Sequence, residues 1–254
     1  MLRPRFTRPP QEWKAQHMSS RASPHILTAN HILSALSRHE YPLLFSSLEP
    51  VNLERGKILY ELDGPIRSAF FIMSGMVSLL ATTEEGLTTQ VGMVGSEGLG
   101  GVPVILKITN APYQSIVQIP GRAMRIRPDV LVSEFARAGP LQDMLLRYVH
   151  SLICQISLSA ACNRFHSLEQ RLCRWLLISH DRVKSDHLPL TQEALSHMLG
   201  ATRPNVTARA ITLRKAGLLN YQHGRIQILD REGIESGACE CYRVMTEICS
   251  FHAT

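Results

Sequence analysis

Hydrophobic positions follow three successive rhythms along this chain. From Asn30 to Phe45 (NHILSALSRHEYPLLF), Ile32, Leu33, Leu36, Leu43 and Leu44 recur at roughly helical spacing, and Asn30 is placed to cap the first turn. From Val51 to Ile126 short strand-like runs alternate with Gly, Pro and acidic turns: GKILYEL, SAFFIMSGMVSLLATT with a corner at Gly75, LTTQVGMV, YQSIVQI and RAMRIR. Turn signals recur every ~8–12 residues, which predicts an antiparallel sandwich or barrel. From Pro140 the period lengthens. Leu141, Leu145, Leu146, Val149, Leu152, Ile153, Ile156 and Ala160 share one broad stripe, predicting a long helix to Asn163. Leu168 to Ile178 repeats the pattern after a break at residues 163–167.

The last patterned module, Leu190 to Asp230, predicts two short helices and a hairpin. Thr191 caps the first helix, whose inner positions are Ala194, Leu195 and Met198. Gly200 supplies a left-handed turn. Thr202 caps the second helix, and Pro204 is tolerated because first-turn amides have no intrahelical partner. Val206, Ala210 and Leu213 mark its inner face, and Gly217 ends it. LLNY and RIQIL, joined at His223-Gly224, form a two-strand hairpin. The whole is a helix-turn-helix with a wing.

Charge sharpens this reading. The 254 residues carry a net charge of +6. Residues 26–163 are near neutral, with ten basic and eleven acidic side chains, whereas residues 164–231 hold eleven basic and five acidic. A basic module behind a neutral one suggests a polyanionic partner for the second. In a helix-turn-helix, the N-terminal end of the second helix enters the major groove. That end offers Thr202, Arg203 and Asn205, with Arg209 further on. Arg can bridge O6 and N7 of guanine, and Asn can do the same for adenine.

Composition removes other classes. A hydrophobic share of 44% and a charged share of 19% exclude global disorder. No contiguous apolar run approaches the ~20 residues needed to cross a bilayer, and no apolar segment follows Arg3, Arg5 and Arg8. The expectation is a cytoplasmic protein without membrane contact. Residues 1–25, with three prolines in the first ten, read as a disordered basic arm, and Met18 is an alternative start. The six cysteines are Cys154, Cys162, Cys173, Cys239, Cys241 and Cys249. They show neither C-x-x-C pairs nor zinc-finger spacing, so they read as reduced thiols, with Cys239-x-Cys241 a weak metal candidate. No metal site and no cofactor are expected. No catalytic residue is assigned and the chain is not read as an enzyme, because no triad, paired-carboxylate or Walker-type signature stands out.

From about residue 30 to 236 the chain resembles the cyclic-AMP receptor protein and fumarate–nitrate regulator (Crp/Fnr) family of transcription regulators. The segments GKILY from Gly56 and SAFFIMSGMVSL from Ser68 look like its early β-roll. The segment from Thr191 to Val206, TQEALSHMLGATRPNV, resembles its DNA-binding signature. The resemblance implies an α+β chain: a jelly-roll sensor over 26–138, a dimerisation helix over 139–163, a winged helix-turn-helix over 164–236 and a tail over 237–254. It implies a homodimer on an inverted-repeat operator of double-stranded DNA. Thr191 and Gln192 then approach phosphate, and Thr202, Arg203 and Asn205 approach phosphate or bases. RNA polymerase is carried as an open partner. Leu145, Val149, Leu152 and Ile156, at three- and four-residue steps, are the expected dimer stripe.

The sensor departs from the family. Cyclic-nucleotide binders use a Glu for the ribose and an Arg for the phosphate. Here the Glu position falls at Gly100 or Gly101 and the Arg position at Gln114 or Tyr113, while Ser115 keeps its place. Ile156 and Ser157 stand near the purine contact of the family. Burying a phosphate without a fixed cation is costly. The effector is therefore unknown and expected not to be cyclic AMP. Gly98, Gly100 and Gly101 either present amides to another anion or form a tight loop without ligand. His25, His31 and His39 leave haem open, and an N-terminal cysteine cluster for iron–sulfur chemistry is missing. The rival reading is a small-molecule receptor module whose last domain binds protein rather than DNA.

Overall fold

The computed structural model describes residues 29–222 and 224–250, without the side chains of residues 249 and 250. The expected arm, Met18, His25, His223 and the Cys249 side chain lie outside the described residues.

The apolar run after Asn30 folds as two short helices, α1 (His31–Ser34) and α2 (Pro42–Ser46). Asn30 caps the first through its side chain, which accepts from Leu33 N at 3.1 Å and donates to the carbonyls of Ile72 and Gly98. One fully buried asparagine thus anchors the lead-in to the sheet that follows.

That sheet comprises β1 (Glu49–Leu53), β2 (Ile58–Tyr60), β3 (Ala69–Thr82), β4 (Thr88–Val94), β5 (Leu99–Gly100) and β6 (Gln114–Ile126). It is antiparallel, in the order β1-β6-β3-β4, with β2 on β6 and β5 on β3. This is the expected jelly-roll-like β domain. The corner expected at Gly75 is a register irregularity inside the continuous strand β3. Gly75 has φ +82°, and a Cβ there would meet the Ile119 carbonyl oxygen at 2.5 Å, so the close crossing of β3 and β6 excludes a side chain.

The next helices are α3 (Pro128–Ala136), α4 (Pro140–Phe165) and α5 (Leu168–Val183). The break between α4 and α5 is a capping box, in which Ser167 and Gln170 satisfy each other's backbone amides at 3.3 and 3.0 Å. The helix α4 is 26 residues long, with a mean hydropathy of 1.2 over its most apolar 18-residue window. It is therefore long and apolar enough, by composition, to cross a membrane. A search for contiguous apolar runs misses this, because Ser and Gln interrupt the run without lowering its average far. Its inner face is buried on the β-roll.

The last module holds β7 (His187–Leu188), α6 (Gln192–Leu199), α7 (Arg203–Lys215), β8 (Leu219–Gln222), β9 (Arg225–Ile228), α8 (Arg231–Ser236) and α9 (Cys241–Ser250). The hairpin β8–β9 is as expected. The short strand β7 extends it to three strands in the order β7-β9-β8. The core of this module is continuous with the β-roll. Met76, Leu80, Met93 and Ile119 of the roll share one buried cluster with Trp175, Leu176, Leu195 and Met198.

Candidate nucleic-acid interface

The interface begins with two backbone turns. The Thr191 hydroxyl accepts from Ala194 N at 3.1 Å and starts α6. Gly200 ends α6 at φ +53°. The next helix, α7, starts at Thr202, which has extended cap geometry but no side-chain cap bond. Its hydroxyl is left exposed at the helix start, where it is available to a phosphate. Pro204 in the first turn fixes the helical φ.

Val206, Ala210 and Leu213 of α7 are buried, which sets the orientation of the whole helix. At about 100° per residue, the pole opposite this core is occupied by Pro204, Ala208 and Ile211. Arg203 and Asn205 leave the first turn on opposite flanks, about 160° apart. Arg203, Asn205 and Arg209 are all exposed. Among the described residues, Arg203 has no ion-pair partner, whereas Arg209 stands 3.7 Å from Glu169 of α5. Asn205, Ala208 and Arg209 border a cleft against Ser167–Gln170. Gln192 is held by the Thr207 hydroxyl at 2.9 Å, so the start of α6 is fixed to the middle of α7. The structure thus places Thr191, Gln192, Thr202, Arg203 and Asn205 around one end of the helix pair. Ala208 was missed by sequence reasoning, although its position two residues from both Val206 and Ala210 already directs it outward.

The expected effector residues have separate surroundings. A Cβ on Gly98 would lie 2.2 Å from the ring of Tyr148 of α4, so this glycine admits the ring rather than a ligand. Gly101 has φ +96°, and its Cβ would meet Tyr60 Oη at 2.6 Å. Gln114 donates to Glu61 at 2.9 Å. Ser115 is fully buried, and its hydroxyl has no hydrogen-bond partner among the described residues. Ile156 is half-buried and Ser157 is exposed. Burial pushes the phenols of Tyr148 and Tyr60 well above the usual tyrosine range, and that of Tyr113 to about 12.

The charged residue of this loop is Glu97, which sequence reasoning did not single out. Its carboxylate accepts from Gly95 N at 3.0 Å and from Arg182 Nε of α5 at 2.8 Å. Both side chains are about one-tenth exposed. The guanidinium that meets the glycine loop is therefore already engaged by a carboxylate. Beside this pair opens a cavity of about 210 Å³, lined by His31, Ser96, Ile178, Asp181, Lys184 and Met245 among others.

Two residues of the expected dimer stripe turn inward. Leu145 and Leu152 are buried in the core of their own chain, and Val149 and Ile156 pack at its edge. Gln155 is buried with them, its side-chain oxygen accepting from Met93 N at 2.7 Å. Before its last residue, Phe165, which is 77% exposed, the large apolar residues that α4 leaves outward are Leu146, 47% exposed, and Ile153, 58% exposed. Seven residues separate them, which puts both on one line of the helix. The spacing of the stripe is helical as expected, but most of it serves the β-roll.

Residues 170–236 match the family model of the Crp-like helix-turn-helix domain. The global nitrogen regulator of Synechococcus elongatus is 22% identical over 193 residues, covering 72% of this chain and 86% of that protein. Among solved structures, FixK2 from Bradyrhizobium japonicum superposes with a TM-score of 0.65 at 12% identity, over 76% of this chain and 98% of that one. A Crp/Fnr-family transcriptional regulator from Thermus thermophilus does so with a TM-score of 0.60 at 19% identity, over 75% of this chain and 98% of that one. The fold is that of these regulators, and the second module is a Crp-like DNA-binding helix-turn-helix.

Proposed function

We propose that this chain, a transcription regulator of the Crp/Fnr type, acts as a homodimer in the cytoplasm and binds an inverted-repeat operator through the N-terminal end of α7. The observation that carries this reading is the exposed, basic helix start at Thr202, Arg203 and Asn205, oriented by a fully buried Val206 and braced by α6. In this reading Thr191, Gln192 and Thr202 hold phosphates, and Arg203 reads guanine. Pro204 and Ala208 present apolar surface to the groove floor, where a thymine methyl fits. Two copies meet along Leu146 and Ile153, flanked by the half-buried Val149 and Ile156.

The sensor responds to something other than cyclic AMP. A cyclic nucleotide would bring its phosphate to a loop at which the Arg182 guanidinium is bound to Glu97. Selecting bound duplexes from random DNA with the purified chain tests the function. The expected result is an enriched inverted repeat with half-site centres about one helical turn, roughly 34–36 Å, apart. A pool that enriches no sequence would overturn it.

A further inference from the structure

The helix α4 finishes at Phe165 with His166 as its C-cap, and the turn between α8 and α9 passes beside it. There Cys162, His166, Cys239 and Cys241 converge, with their candidate ligand atoms all within 4.8 Å of one another. Cys162, Cys239 and Cys241 are at most 4% exposed. From this convergence we infer that the chain holds a structural zinc ion on Cys162 Sγ, His166 Nδ1, Cys239 Sγ and Cys241 Sγ.

The spacing fits one tetrahedral ion. With Zn–S near 2.3 Å and Zn–N near 2.0–2.1 Å, tetrahedral ligands lie about 3.8 Å apart for two sulfurs and about 3.6 Å for sulfur and nitrogen. Cys162 Sγ and Cys239 Sγ are 3.5 Å apart, and Cys241 Sγ and His166 Nδ1 are 3.6 Å apart. The donor set is soft, with three thiolates and an imidazole, which suits zinc rather than calcium or magnesium. Four protein ligands fill the coordination sphere and leave no open position, as in structural rather than catalytic sites.

Two further features point to an ion. The other imidazole nitrogen of His166, Nε2, lies 3.2 Å from the carboxylate of Glu240, which falls between the two cysteine ligands in sequence. A proton held there by Glu240 leaves Nδ1 with its lone pair toward the thiols. This is the carboxylate–histidine pairing that orients zinc-bound imidazoles. Arg174 is 6% exposed, its Nε has no hydrogen-bond partner among the described residues, and its charge acts on Cys162 and Cys241. A buried guanidinium beside neutral thiols is costly. Three thiolates with one divalent cation carry a net −1, which compensates it.

The sequence hides this site. Cys162 and His166 are one helical turn apart on α4, but their partners lie more than seventy positions on, and the Cys-x-Cys pair lacks the usual two-residue gap. The ion would fasten the start of α9 to the junction of α4 and α5.

Metal analysis and cobalt titration of the full-length chain under reducing conditions test the site. The expected result is one zinc per chain as purified. Cobalt added to the metal-stripped chain should give the visible absorption of tetrahedral cobalt with thiolate charge transfer. Cys241→Ser should lose both, while Cys154→Ser should match wild type. Glu240→Gln, at an exposed position that leaves the fold intact, should weaken cobalt binding about 10–100-fold. A wild-type chain that gives no tetrahedral thiolate spectrum overturns the proposal. So does wild-type cobalt affinity in both Cys241→Ser and Glu240→Gln.

Discussion

At the scale of single residues, the two arginines of the recognition helix have different surroundings and should fail differently. Arg203 leaves the first turn of α7 without an ion-pair partner among the described residues, whereas Arg209 lies about 9 Å further along, beside Glu169. A bidentate arginine–guanine contact is worth ~1–3 kcal/mol. Arg203→Ala in a dimer should therefore weaken binding to the selected operator by roughly 2–6 kcal/mol if half-sites add, and change binding to random DNA little. Arg209→Ala should weaken both DNAs alike and flatten the salt slope by about 0.9 for each phosphate no longer neutralised. Titration of both variants on both duplexes at two salt concentrations separates them. Equal weakening on both DNAs for Arg203→Ala would move base reading to Asn205, on the opposite flank. The identities of these residues were legible in the sequence because caps, glycine turn and proline fix where α7 starts. Which flank each takes follows from the inner face read at Val206, Ala210 and Leu213; the Glu169 carboxylate beside Arg209 was not legible, because it lies on another helix. Glu97 was missed because its partner Arg182 stands 85 positions away.

At the scale of elements, α4 carries two apolar faces where one was read. Period alone cannot say which face meets the same chain and which a second copy. The burial of Tyr148, Leu152 and Gln155 on the β-roll decides it. The outward pair should behave as an interface and the inward pair as core. Ile153→Glu and Leu146→Glu should convert the dimer to monomer in sedimentation while thermal unfolding stays close to wild type. Leu145→Ala should instead lower stability by about 2–5 kcal/mol, as a buried leucine truncation does, and remain dimeric. If Ile153→Glu sediments as wild type, α4 is not the interface. The strand pattern was easier to read than the helix face, because β3, β4 and β6 alternate with glycine-rich turns. The third strand of the wing, β7, went unread because two residues give no periodicity.

At the scale of the whole molecule, the β-roll and the helix-turn-helix module are one packed body in this structure. The Trp175 indole donates to Gln90 Oε1 of β4 at 2.7 Å, Met198 of α6 packs at Ser78 of β3, and Arg182 holds Glu97. The sequence showed the order of the modules, but these interactions join residues about 85–120 positions apart and leave no local pattern. An effector would act by changing how the modules meet, and the Glu97–Arg182 pair marks where the glycine loop is connected to α5. In the proposed reading, cyclic AMP would meet at that loop a guanidinium already paired with Glu97. Calorimetry with cyclic AMP and cyclic GMP should show no saturable heat at micromolar concentrations, and micromolar affinity for either would refute the reading of the sensor. Sequence-specific DNA reading by the start of α7 is tested most directly by one ratio: the affinity of the full-length chain for its selected inverted repeat against a scrambled duplex of equal length, at physiological salt. Binding to the repeat should be at least about 10³-fold tighter, the lower end for specific regulators. Equal affinity for the two duplexes would contradict it.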